Sequence, residues 1–187
     1  MARVNLFLRL LWLRLTVGRR SRLRFLDVGR MRMRVSLTDL DPLRHVNNGV
    51  YLSMMDLGRV DLMVRSGVWK RLMDAGYYPV VAAQTITYRK SLELGQRFVI
   101  ETALRGFDEK AVYIEQRFVV DGEIYASAIV KGRFLKRSGG TVSVDELGAL
   151  VGEDLRVHTV DPWIARWSED AALPSTRVPA PSVWPPA

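Results

Sequence analysis

One stretch of this chain limits what the rest can become. Over residues 48–66 the apolar side chains Val50, Tyr51, Met54, Met55, Leu57, Val60, Leu62, Met63 and Val64 recur at helical spacing, around more of the circumference than a half-exposed helix needs. Asn47 or Asn48 can cap its start and Gly67 can end it. Before it, residues 30–38 alternate Arg with Met or Val, the period of a half-buried strand, until Asp39-Leu40-Asp41-Pro42 breaks the pattern. After it come a short helix over residues 69–74 and four alternating runs at 80–90, 97–106, 111–120 and 124–135, with turn signals at Asp108-Glu109 and Asp121-Gly122. Four successive strands suggest an antiparallel meander, and the first strand makes five. A helix this apolar needs cover on most sides, which a strongly curved sheet supplies. The expected class is α+β, with a long central helix wrapped by a five-stranded antiparallel sheet over residues 28–137. Residues 1–27 read as a basic, apolar helical arm. Residues 138–187 read as a short exposed helix near 143–152 and an irregular Pro- and Trp-rich tail from Pro162 that includes Trp163, Trp167 and Trp184.

The chemistry open to this chain is narrow. It has no cysteine, which removes disulfides, thiolate metal sites and a cysteine nucleophile. With two histidines, His45 and His158, it has little material for a multi-histidine metal site or a Ser/His/Asp triad, so neither metal nor cofactor is expected. Carboxylates, hydroxyls and backbone amides remain.

The net charge of +8 is concentrated in one place. Residues 1–34 hold ten arginines against one acid, Asp27, for +9, and the other 153 residues carry 18 basic and 19 acidic groups, for −1. A nucleic-acid-binding domain would carry its positive stripe on the folded surface, so no nucleic-acid partner is expected. Within the arm, Arg9 and Arg14 cut VNLFLRLLWLRLTV into runs far shorter than the roughly 20 apolar residues of a membrane span, and they spoil the apolar core of a secretory signal. The expected setting is cytoplasmic. Two placements stay open for residues 1–24: docking on the domain or a partner subunit, or peripheral contact with a membrane through Trp12 and the arginines beyond it.

Residues 39–51, Asp-Leu-Asp-Pro-Leu-Arg-His-Val-Asn-Asn-Gly-Val-Tyr, gather two carboxylates, a histidine, two amides and a phenol at a strand-to-helix junction. Free N–H groups at a helix start beside an acid are what an acyl carbonyl needs: a polarising donor and a nearby base or nucleophile. This segment resembles the active-site motif Asp-x-Asp-x-x-Gly-His-x-Asn-Asn-x-x-Tyr of hotdog-fold thioesterases of the 4-hydroxybenzoyl-CoA thioesterase type. The order of elements over about residues 28–137 is similar too. The stretches LRLLWL and GYYPVVAAQTITYRKSL also resemble the thioesterase superfamily member 6 group.

The resemblance implies hydrolysis of an acyl-CoA or acyl-carrier thioester by a homodimer or homotetramer, with the acyl site between subunits. It puts Asp41 at the catalytic carboxylate, as general base or as nucleophile through an anhydride, with His45 beside it. It implies that Asn47, Asn48, Gly49 and Tyr51 shape the substrate site, with the amides near Asn48 and Gly49 on the thioester carbonyl, and it puts Asp56 where relatives often have Glu. A free carboxylate, with a pKa of about 3.9, is a weak base, so burial beside Leu40, Leu43 and a partner's strand is expected to raise it. Two positions depart from the pattern: Arg44 replaces Gly, and Leu43 stands where related acyl-carrier thioesterases have an assisting Asn. Asp39 reads as a turn residue, and Asp56 as an acid on a buried helix face paired with Arg59 or Arg89. A hydratase of the same fold is disfavoured because the Asn-Pro of its motif is missing. A non-catalytic acyl-binding or scaffold module at a membrane is the rival reading.

Overall fold

Asn47 is where extended backbone turns into helix. Its φ and ψ are −58° and 136°, and its side-chain carbonyl accepts the Gly49 N–H at 2.9 Å. From that cap the main helix runs Asn48–Arg65 and stops before Gly67, whose φ of 73° suits a residue without Cβ. The computed structural model describes residues 2–175 and 177–182, apart from the side chains of residues 2–7 and 14. Trp184 lies outside the described residues.

In chain order the elements are α1 (Ala2–Thr16), β1 (Gly29–Arg34), α2 (Asn48–Arg65), α3 (Val68–Asp74), β2 (Tyr77–Tyr88), β3 (Arg97–Phe107), β4 (Val112–Val120), β5 (Glu123–Lys136), α4 (Val144–Val151) and α5 (Pro162–Asp170). The five strands form one antiparallel sheet in the order β1-β3-β4-β5-β2. Its inner face holds α2: Tyr51, Met54 and Met55 pack on Ile100, Phe118, Ala128 and Val130. A mid-helix glycine ordinarily costs about 1 kcal/mol relative to Ala. At Gly58, however, a Cβ would come within 3.0 Å of Ile100, Thr102 and Gln116, so the missing side chain is what lets α2 lie close on β3 and β4.

The expected class holds, and four details are corrected. Only β3, β4 and β5 form a meander. β2 pairs with β5, because residues 89–96 form a connection too long for a tight hairpin and anchored by the fully buried Leu92. The first strand ends at Arg34 and gives way to a 3-10 turn at Leu37–Asp39. The helix near 143–152 is not exposed, since Val144 and Leu147 enter a second apolar cluster with Phe107, Val112 and Phe134. The tail is helical through Asp170, with Ile164 buried against Tyr113 and Ile129.

Within the arm, the described residues from Arg9 to Arg20 dock on their own domain. Leu13 is 2% exposed and packs with Met31 and Leu57, while Arg9 and Arg20 reach the buried carboxylates of Asp39 and Asp61, each at 2.7 Å. Among the described residues no helix is long and apolar enough to cross a membrane.

Candidate active site

The loop between β1 and α2 is pinned at several points. Asp39 is fully buried, and its Oδ2 accepts the Ser36 amide at 2.7 Å, the Ser36 hydroxyl at 2.8 Å and the Arg9 guanidinium at 2.7 Å. Its own carbonyl accepts the Asn47 N–H at 2.9 Å, so this turn residue ties the arm to the start of α2. Single-residue bridges join Leu40 to Val46 and His45 to Glu93.

Asp41 lies on this frame, half-buried. Its backbone amide donates to the His45 carbonyl at 2.8 Å, and its Oδ1 accepts the amides of Leu43 and His45 at 2.9 and 3.2 Å. Two donors on one oxygen fix the carboxyl plane. Oδ2 has no hydrogen-bond partner among the described residues. Arg44 occupies the tip with φ of 65°, the left-handed region where the family pattern has Gly, so the backbone keeps the turn that the sequence departs from. Leu43 is 76% exposed and gives Asp41 none of the apolar cover expected of it.

The other predicted residues separate into distinct places. His45 is exposed, and its backbone rather than its ring closes the turn. Asn47 spends its carbonyl on Gly49, which removes the Gly49 N–H from the donors expected to meet a substrate carbonyl. The Asn48 N–H has no partner among the described residues and sits at the positive end of an 18-residue helix. Tyr51 is core: it is 2% exposed, its oxygen accepts the Leu92 amide at 3.2 Å, and its ring meets Phe118 and Tyr88 edge-on. Burial raises its pKa, partly offset by that amide. Asp56 is exposed rather than buried and pairs with Arg59, not with Arg89, which bonds Glu123.

Asp56 is also the one predicted site residue that lines an apolar cavity, a space of about 270 Å³ between α2, α3 and the sheet. Met63, Trp69, Leu104, Ile114 and Phe134 give that space apolar walls. Arg59 enters it with 8% of its surface exposed and bonds both Gln116 and Asp56. Burial lowers the Arg59 pKa, opposed by the Asp56 carboxylate. Within one chain the Asp41 loop and this cavity are separate places. Arg59 is the Asp56 partner the sequence had offered, whereas sequence reading missed two contributors: Gln116, which Arg59 bonds, and Tyr88, whose hydroxyl donates to the Asn48 carbonyl at 3.3 Å.

Comparison with known proteins bears on the family and the fold. The thioesterase-like superfamily matches residues 35–168. Protein THEM6 of Xenopus laevis is 42% identical over 95 residues, 51% of this chain and 46% of that protein, so the match spans about half the length of this relative. Among solved structures, the YbaW probable thioesterase of Escherichia coli superposes with a TM-score of 0.63 at 20% identity, covering 68% of this chain and 99% of that one. The BH1999 gentisyl-coenzyme A thioesterase gives 0.58 at 19% identity, covering 64% and 98%. At these identities the structural likeness speaks for the fold.

Proposed function

Because the chain belongs to the thioesterase-like superfamily, we propose that it hydrolyses an acyl-CoA thioester, with Asp41 as the working carboxylate. The observation that carries this reading is the Asp41 carboxyl, held by two amides on Oδ1, on a pinned loop that leads to the Asn48 N–H, with neither Oδ2 nor that N–H bonded among the described residues. Oδ2 takes a proton from water as the water oxygen attacks the thioester carbon, and the Asn48 N–H steadies the charge that develops on the carbonyl oxygen. The carbon–sulfur bond then breaks, and the thiolate leaves and takes up a proton. A positioned base is worth about 10² to 10⁴ in rate and one oxyanion donor about 10² to 10³. The test is thiol release from a panel of acyl-CoAs of graded chain length and of aryl-CoAs. Turnover of at least one class is expected, and no turnover of any would favour the acyl-binding module instead.

A second reading rests on the cavity. Asp56 lines it and Asp41 does not, so a substrate whose acyl chain fills that space brings its carbonyl to Asp56 and Arg59.

The reading also calls for a second copy of the chain. β2 is a sheet edge of twelve residues with Tyr78, Val81 and Tyr88 exposed along it. An edge of that length is a template for pairing, and antiparallel pairing of two copies closes it. Sedimentation is expected to give a dimer or tetramer, and a monomer with full thioesterase activity would remove the partner from the site.

A further inference from the structure

Helix α1 is apolar on two opposite faces, and the domain covers only one. Leu13, with Arg9 beside it, faces inward to Met31, Leu57 and Asp39. Leu8, Leu11, Trp12 and Leu15, spaced at i, i+3, i+4 and i+7, form a single stripe on the other side and are 45% to 71% exposed. A contiguous apolar patch of that kind on a docked helix calls for a cover.

The charge around the stripe says what covers it. Trp12 is also part of the groove between α1 and β1, whose walls include Arg32, Arg34 and Arg97, and the Arg20 guanidinium lies 5.4 Å from its ring. The alternation of β1 sends Met31 inward and Arg30, Arg32 and Arg34 outward. Among the described residues the side chains of Arg19, Arg22, Arg32 and Arg97 are exposed and make no hydrogen bond or ion pair. Leucines with an indole at their border, bounded by unpaired arginines, match the layering of acyl chain, interface and phosphate in an anionic bilayer. A second copy of this face would set arginines against arginines, and a nucleic acid would leave the leucines in water.

We propose that the outer stripe of α1 lies in the interface of an anionic phospholipid membrane, with Arg19, Arg22, Arg32 and Arg97 on lipid phosphates. Docking on the domain and contact with a membrane, which the sequence poses as alternatives, are then the two faces of one helix. Leu10 of the same helix lines the cavity beside Asp56, so the membrane-facing element borders the interior space.

The test is co-sedimentation of the full chain with vesicles of phosphatidylcholine alone and of phosphatidylcholine and phosphatidylglycerol in equal amounts. Binding to the mixed vesicles and not to the neutral ones is expected, weakening as salt rises. Leu11→Gln with Leu15→Gln, at exposed positions where the melting temperature should not move, is expected to weaken binding about tenfold or more. Arg32→Gln is expected to weaken it about fivefold. Equal affinity for both vesicles, or stripe variants that bind as tightly as the unchanged chain, would overturn the proposal. So would stripe substitutions that dissociate an oligomer without vesicles present, which would give the stripe to a second copy. Displacement by inorganic phosphate at constant ionic strength, with the leucine changes silent, would place the arginines' ligand in solution.

Discussion

Asp41→Asn is expected to lower thioester turnover about 10²-fold or more while leaving the melting temperature close to that of the unchanged chain. The amide keeps the shape of the carboxylate, and its carbonyl oxygen can still accept the Leu43 and His45 amides, so the turn survives. What is lost is the basic oxygen. His45→Ala is expected to cost less in turnover and little in stability, because the backbone of His45 rather than its exposed ring holds the loop. The measurement is turnover at saturating acyl-CoA for Asp41→Asn, His45→Ala and Asp56→Asn, with thermal melts of each. Near-normal turnover in Asp41→Asn with a collapse in Asp56→Asn would move the chemistry into the cavity. A deeper loss in His45→Ala than in Asp41→Asn would give the base role to the imidazole.

Asp61→Ala should be among the most destabilising single changes in the chain. Asp61 is 1% exposed and holds two guanidiniums, Arg20 at 2.7 Å and Arg65 at 3.0 Å. Arg65 also donates to the carbonyl and hydroxyl of Ser21, both at 2.8 Å, so this cluster fastens the segment after α1 to the last turns of α2. Removing the carboxylate leaves two cations facing each other, one of them largely buried, and breaking a buried pair from one side costs about 3–5 kcal/mol. Arg20 keeps a fifth of its side chain in water, which places the expected loss at the lower end, about 3 kcal/mol, or a drop of about 10 °C in melting temperature. A loss under about 1 kcal/mol would mean that water already screens the cluster in the folded chain.

The periods were legible along the chain: α2 with a cap at Asn47 or Asn48 and a Gly67 stop, the alternation of the strands, and the motif from Asp39 to Tyr51 that marks where chemistry is sought. These are local quantities, set by helical or strand spacing and by cap and turn preferences, and they survive without knowledge of neighbours. Which strands lie side by side was not local. β2 leaves its sequence neighbour β3 and pairs with β5 because the buried Leu92 connection carries the chain across the sheet. The roles of polar residues also depended on partners distant in sequence. Tyr51 looked like a site residue until the Leu92 amide claimed its oxygen, and Gly49 looked like a carbonyl donor until Asn47 claimed its N–H. Asp39 read as a turn residue until Arg9, 30 positions away, reached its carboxylate, and nothing near Asp61 in sequence signalled Arg20, 41 positions away. A side chain's type limits the bonds it can make, but whether it has one to offer a substrate depends on which groups the fold has already placed against it.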